Sequence, residues 1–209
     1  MFKRVKEDIE SIRRRDPAAR GALEIYFLYP GYKAVRMHRR AHRHYQKGHF
    51  FRARWLSERC RKKTGIEIHP GAKIGKGLWI DHGTGVVIGE TCEIGEYCTI
   101  YQGVTLGGTG KDSGKRHPTI GSHVMIGAGA SVLGPFTVGD HAKIAAGAVV
   151  LDEVPPHGTA VGVPARVVKV AGKAVEDDLD QVHLPDPVSQ ELCRLRHRID
   201  LLEREHETV

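Results

Sequence analysis

A six-residue beat of aliphatic side chains runs through the middle of this 209-residue chain and limits what it can fold into. Ile68, Ile74 and Ile80 begin it, and Ile88, Ile94, Ile100 and Leu106 continue it after a two-residue slip. Ile120, Ile126, Val132, Val138, Ile144 and Val150 complete it after a longer interruption. Two residues before each lies a second small or apolar set, among them Ala72, Leu78, Val86, Cys92, Cys98, Val104, Val124, Ala130, Ala142 and Ala148. Neither the 3.6 period of a helix nor the twofold alternation of a half-buried strand explains this spacing. It predicts a parallel β-helix, in which three short strands make one triangular coil of about eighteen residues. Glycine follows many of the aliphatic residues, as at Gly75, Gly95, Gly121 and Gly139, and is expected to ease the corners.

The expected organisation has three parts. Residues 1–64 read as helical, with a stop at Asp16-Pro17, a turn at Tyr29-Pro30-Gly31 and a break at Gly48. Residues 65–170 form the β-helix, and residues 171–209 form a linker and a terminal helix whose Val188, Leu192, Leu195, Ile199 and Leu202 make a short apolar seam. Two departures from the beat point to function. The step from Ile80 to Ile88 is eight residues, so Asp81-His82-Gly83-Thr84-Gly85 must bulge at a corner. Residues 107–119 are thrown out as a loop rich in Gly, Lys, Arg and His.

No apolar run is long enough to span a membrane, and the basic N-terminus has no signal-peptide core, so a cytoplasmic protein is expected. Four cysteines do not make a disulfide framework in a chain of this length, and Cys92 and Cys98 fall on inward positions of the beat, so packing rather than metal binding is expected. The formal charge of +7 favours an anionic partner. Much of it sits between Lys33 and Lys63, Arg39, Arg40 and Arg43 included. A coenzyme with several phosphates accounts for it more economically than nucleic acid, which is not expected as a partner.

The string TGIEIHPGAKIGKGLWIDHGTGVVIG at Thr64–Gly89, followed by VTLGGTGKDSGKRHP at Val104–Pro118, resembles the bacterial serine O-acetyltransferase family. The likeness continues through VMIGAGASVLG at Val124–Gly134 and VPPHGTAVGVPARVV at Val154–Val168, and reaches upstream to Arg15-Asp16-Pro17-Ala18. The resemblance implies a left-handed hexapeptide β-helix that transfers acetyl from acetyl-CoA to the hydroxyl of L-serine. The O-acetylserine formed serves cysteine synthesis.

Such a transfer needs a base for the hydroxyl proton. His82 stands at the slipped corner with Asp81 beside it, and Glu67 lies fifteen residues earlier, nearly one coil. The resemblance assigns His82 as the base and Glu67 as its partner, where some relatives carry aspartate. It puts Arg116 and His117 on the serine carboxylate, and Asp16 and Asp81 on the amine. Acetyl-CoA is expected along a groove between two prisms, against Gly108, Ala128 and Ala146, with Lys143 and Arg166 nearer its phosphates. No metal is implied.

Three alternatives share the fold: an acetyltransferase for sugars or xenobiotics, a γ-type carbonic anhydrase, and a docking or regulatory trimer. The DHGTG and KRHP strings fit serine better than sugars. The close histidine pair of a zinc site is missing, His117 and His123 being the nearest approach. Relatives that dock onto O-acetylserine sulfhydrylase end in isoleucine, whereas this chain ends Glu207-Thr208-Val209, which counts against docking. The resemblance implies a homotrimer, with pairing of trimers the lesser alternative because the helical region is short.

Overall fold

The computed structural model describes residues 2–110, 113–168, 191–192 and 194–199. Four helices come first: α1 (Phe2–Arg15), α2 (Ala22–Leu28), α3 (Pro30–Gln46) and α4 (Phe50–Thr64). The expected turn at Tyr29-Pro30-Gly31 shrinks to one extended residue, Tyr29, because Pro30 occupies the first turn of α3, where its missing N–H costs nothing. Gly31 lies in the same turn against the Ile80 carbonyl and leaves no room for a Cβ, so α3 starts hard against the prism. Gly65, left-handed at φ 70°, ends α4.

Short strands follow: β1 (Glu67–Ile68), β2 (Lys73–Ile74), β3 (Trp79–Ile80), β4 (Val87–Ile88), β5 (Glu93–Ile94), β6 (Thr99–Ile100) and β7 (Thr105–Gly107). After the loop come β8 (Thr119–Ile120), β9 (Met125–Ile126), β10 (Ser131–Leu133), β11 (Thr137–Val138), β12 (Lys143–Ile144), β13 (Val149–Val150), β14 (Thr159–Gly162) and β15 (Ala165–Val168). They stack into three faces. Face A is β1-β4-β7-β10-β13, face B is β2-β5-β8-β11, and face C is β3-β6-β9-β12-β14-β15. All pairings are parallel except the closing β14–β15 hairpin. Val87 pairs with Thr105 eighteen residues on, which is one regular coil. Glu67 pairs with Val87 and Thr105 with Ser131, so the bulge adds two residues to one coil and the loop adds eight to another. Val154 bridges to Val138, and past Pro155-Pro156 the chain still climbs, since β14 pairs with β12.

The beat supplies the core. Ile68, Ile88, Leu106, Val132 and Val150 form one buried column, and Ile80, Ile100, Ile126, Ile144 and Ala160 another, with Cys92 and Cys98 wholly buried between columns. Burial pushes both thiols up to about 12, so they pack as small apolar groups and are poor nucleophiles. A second core of Ile9, Ile12, Ile25, Tyr32 and Trp79 joins α1, α2 and α3 to face C. Arg15 pins the end of α1 to the prism, donating to the carbonyls of Gly77, Tyr97 and Cys98 and to Thr99 Oγ1. At the far end of the chain, residues 191–192 and 194–199 are helical, with Leu192, Leu195 and Ile199 exposed in the single chain. Val188 and Leu202 of the expected seam lie outside the described residues.

The glycines after the aliphatic residues serve a different purpose from the expected one. Gly75, Gly95, Gly121 and Gly139 do not have positive φ. Each instead lies against the backbone of the coil above: a Cβ on Gly75 would sit 2.5 Å from the Gly95 carbonyl oxygen, and one on Gly95 would sit 2.6 Å from that of Gly121. The left-handed position of the corner comes two residues later, filled by Gly77, Tyr97, His123, His141 and His157. The last three carry imidazoles stacked 4.8 Å apart up the B-to-C edge. Gly95→Ala should therefore lower stability by roughly 1–3 kcal/mol, the scale of overpacking. Chemical denaturation would check this, and an unchanged midpoint would mean that the coils have slack.

Candidate active site

His82 sits in the corner that leads from face C into face A, on the bulge that the eight-residue step creates. Its backbone is left-handed at φ 55°, a conformation that costs a non-glycine residue energy and keeps the side chain on the outside of the corner. Gly83 makes the bulge possible, because a Cβ there would press into Ile66 and Ile80. The imidazole is exposed.

Asp81 lies half-buried beside it, its Oδ1 accepting the His82 amide at 3.0 Å. Burial raises the Asp81 carboxyl above its usual range, and the charge of Asp16 adds to the rise. Asp16 arrives from the end of α1 because Arg15 anchors that helix. Its Oδ2 accepts the Tyr29 hydroxyl at 2.6 Å and its Oδ1 the Ala18 amide at 2.8 Å. Burial and the hydrogen bond to Asp16 push the Tyr29 phenol upward, so it stays a donor. Two carboxylates thus converge beside one imidazole, a setting suited to an ammonium group.

Glu67, in β1 on face A, is oriented by α4. Its carboxylate lies 3.8 Å from Arg54 and 3.9 Å from Arg61, and no hydrogen bond joins it to His82 among the described residues. The longer glutamate side chain reaches the α4 arginines in this conformation.

Arg116 and His117 lie in another corner, between face A and face B, where the loop returns to β8. Thr91 holds them from the coil below, its Oγ1 accepting both backbone amides at 3.0 and 3.1 Å. The Thr91 amide donates to His117 Nδ1 at 3.2 Å, which leaves the Nε2 of a neutral ring as the protonated nitrogen. Burial and the neighbouring Arg116 charge lower the His117 pKa and favour that neutral form. Arg116 bonds Glu90 at 2.6 Å, and Tyr45 donates to the other Glu90 oxygen at 2.9 Å. A guanidinium and an Nε2–H side by side suit a carboxylate.

Above the coil of Tyr101 and Gln102, the C-to-A edge over His82 carries only glycine and alanine, at 127–130 and 145–148. Gly103, Gly129 and Gly147 occupy its left-handed positions at φ 72°, 69° and 69°, and a Cβ added to Gly129 or Gly147 would meet nothing within 4 Å. No neighbour in the chain crowds Gly129 or Gly147, and the edge they leave is a backbone cradle for an extended ligand. Ala128 and Ala146 lie on this edge, and Lys143 is buried in β12 three residues before Ala146. Gly108 lies at the other corner, where an added Cβ would sit 2.8 Å from the Arg116 carbonyl oxygen, and Arg166 is exposed on β15.

Sequence reasoning brought forward His82, Asp81, Asp16, Arg116 and His117 but missed Tyr29, Tyr45, Glu90 and Thr91, which hold them. Only the place of Glu90-Thr91 in a corner, one coil below the loop, could have marked those two.

Known proteins share this chain's sequence and fold. The family "Bacterial transferase hexapeptide (six repeats)" matches residues 117–152. A serine acetyltransferase of Bacillus licheniformis is 53% identical over 204 residues, covering 98% of this chain and 94% of the relative. The structure of Neisseria gonorrhoeae serine acetyltransferase in complex with serine superposes with a TM-score of 0.77 at 46% identity, covering 80% of this chain and 68% of that one. That of a serine acetyltransferase from Brucella abortus in complex with coenzyme A gives 0.79 at 44% identity, covering 82% and 68%. The prism is a left-handed parallel β-helix. Its identity to these relatives along nearly the whole chain makes this protein a member of the serine acetyltransferase family.

Proposed function

We propose that the protein transfers acetyl from acetyl-CoA to the hydroxyl of L-serine, giving O-acetyl-L-serine and CoA, the reaction its family contributes to cysteine biosynthesis. One observation carries the reading. A single prism presents a base with two carboxylates at its C-to-A corner, and a guanidinium with an imidazole N–H at its A-to-B corner. Together they match an amino acid with a hydroxyl group, and they meet when the C-to-A corner of one prism faces the A-to-B corner of the next. That arrangement closes around a threefold axis, so a homotrimer is the minimum active unit. We read residues 1–64 as its helical support, 65–170 as the catalytic prism and 171–209 as an appendage.

In this reading His82 accepts the serine hydroxyl proton as the oxygen attacks the thioester carbonyl, and later returns it to the departing thiolate. Asp16 and Asp81 hold the ammonium, and Arg116 and His117 hold the carboxylate. Glu67 turns from the α4 arginines toward His82 to steady the imidazolium. The small-residue C-to-A edge, with Ala128 and Ala146, fits the extended arm of acetyl-CoA, which supplies the activated acetyl group. Gly108 admits it at the opposite corner, and Lys143 and Arg166 lie toward its phosphate end.

Among the described residues no helix is long and apolar enough to cross a membrane, and Cys60, Cys92 and Cys98 are free thiols. Both fit work in the cytoplasm.

Thiol release from acetyl-CoA tests the assignment. It should be fast with L-serine and weak with N-acetylserine or sugars, since either change removes a charge that the site is built to meet. Preference for a sugar acceptor would reject the reading.

A further inference from the structure

A cavity of about 560 Å³ lies between the helices and the base of face B, on a different side of the prism from the His82 corner. Its wall is a stripe of α3 in which Arg36, Arg40 and Arg43 recur at steps of four and three, and therefore share one helix face. Arg4 of α1 stands on another wall, and Lys73 of β2 forms part of the floor. Among the described residues none of Arg4, Arg36, Arg40 and Arg43 has a carboxylate within ion-pair distance. The nearby acids are already engaged, Asp8 by Arg39 and Glu93 by Lys73.

Other features of the cavity are rigid and polar. The Arg36 guanidinium lies 3.8 Å from the Tyr26 ring centroid and donates to the Tyr26 carbonyl at 3.1 Å, so it is fixed before any ligand arrives. Arg39 is clamped by both oxygens of Asp8. Two buried nitrogens of this lining have no hydrogen-bond partner, Arg39 Nε and His38 Nδ1. Burial holds the His38 imidazole down at about 3, so it stays neutral beside the guanidiniums.

We propose that this cavity is a second anion site, separate from the catalytic one, that takes a small molecule bearing several phosphate groups. Guanidinium forks match phosphate oxygens in pairs, and four guanidiniums around one hollow with no carboxylate partner among the described residues call for more than one phosphate. The concave shape favours a compact ligand over a nucleic-acid backbone, which would need an extended ridge of charge.

Calorimetric titration of the full chain with inorganic tripolyphosphate at low ionic strength tests this. One site per chain is expected, and acetyl-CoA in excess should not displace the ligand. Arg40→Gln/Arg43→Gln should weaken binding about tenfold or more, as loss of two charge-assisted contacts requires. Arg4→Gln, on the other wall, should weaken it as well. Lys62→Gln/Lys63→Gln removes the same charge from the exposed end of α4 and should change affinity less than about twofold. Thermal melting of each variant confirms that it is folded. Absence of binding, equal loss in the two double variants, displacement by acetyl-CoA, or tighter binding of a short DNA duplex than of tripolyphosphate would each overturn the proposal.

Discussion

His82→Ala should lower kcat by about a hundred- to ten-thousand-fold, the usual scale for removing a general base. The imidazole sits on an exposed bulge and supports no part of the core, so the variant should fold and melt like the parent. Alanine has to hold the same φ of 55°, which costs on the order of 1 kcal/mol and is small against the stability of a stacked prism. Affinity for CoA should persist, because the edge that fits it lies on the coils above. Stopped-flow or steady-state thiol release, together with calorimetric CoA binding, separates the two effects. Activity within about tenfold of the parent would mean that the proton leaves by another route.

Glu67→Gln is the informative companion. Among the described residues the side chain has two arginine neighbours in α4 and no hydrogen bond to His82. If it only steadies the imidazolium, its loss should cost about tenfold to a few hundredfold, less than the loss of His82. An equal cost would give the carboxylate a direct part in proton transfer.

Much of the fold was legible because its determinants are periodic. A column such as Ile80, Ile100, Ile126 and Ile144 can be counted along the chain, and every member is buried. The bulge and the loop were legible as failures of the same count, and they carry His82 and Arg116. The role of the glycines was not. Gly95 is needed because of the Gly121 carbonyl, a neighbour one coil away that no local rule of turn chemistry reveals. The supports of the site were hidden for the same reason. Thr91 reaches Arg116 and His117 across twenty-five and twenty-six residues, and Tyr29 reaches Asp16 across thirteen. Cys92 and Cys98 were legible as packing, since their positions in the beat already placed them inside.

The division of the site between two corners makes a second large effect. Arg116→Ala removes the cation offered to the serine carboxylate and leaves Glu90 with only the Tyr45 hydroxyl. Its kcat/KM for L-serine should fall by about a hundredfold or more, the scale of a charge-assisted pair lost from a partly buried site. His117 and the loop should stay in place, because Thr91 holds them through backbone amides.

His82 and Arg116 belong to different corners of one prism, and in the proposed trimer they act together across two chains. The direct measurement is to unfold His82→Ala and Arg116→Ala together in equal amounts, refold them, and assay thiol release with L-serine. Each variant alone retains one damaged half in every site. Random mixing in a closed trimer gives about one interface in four with both halves intact. Activity near a quarter of the parent's is the predicted result. A mixture no more active than the two variants refolded separately would place both residues in one chain's own site and contradict the account.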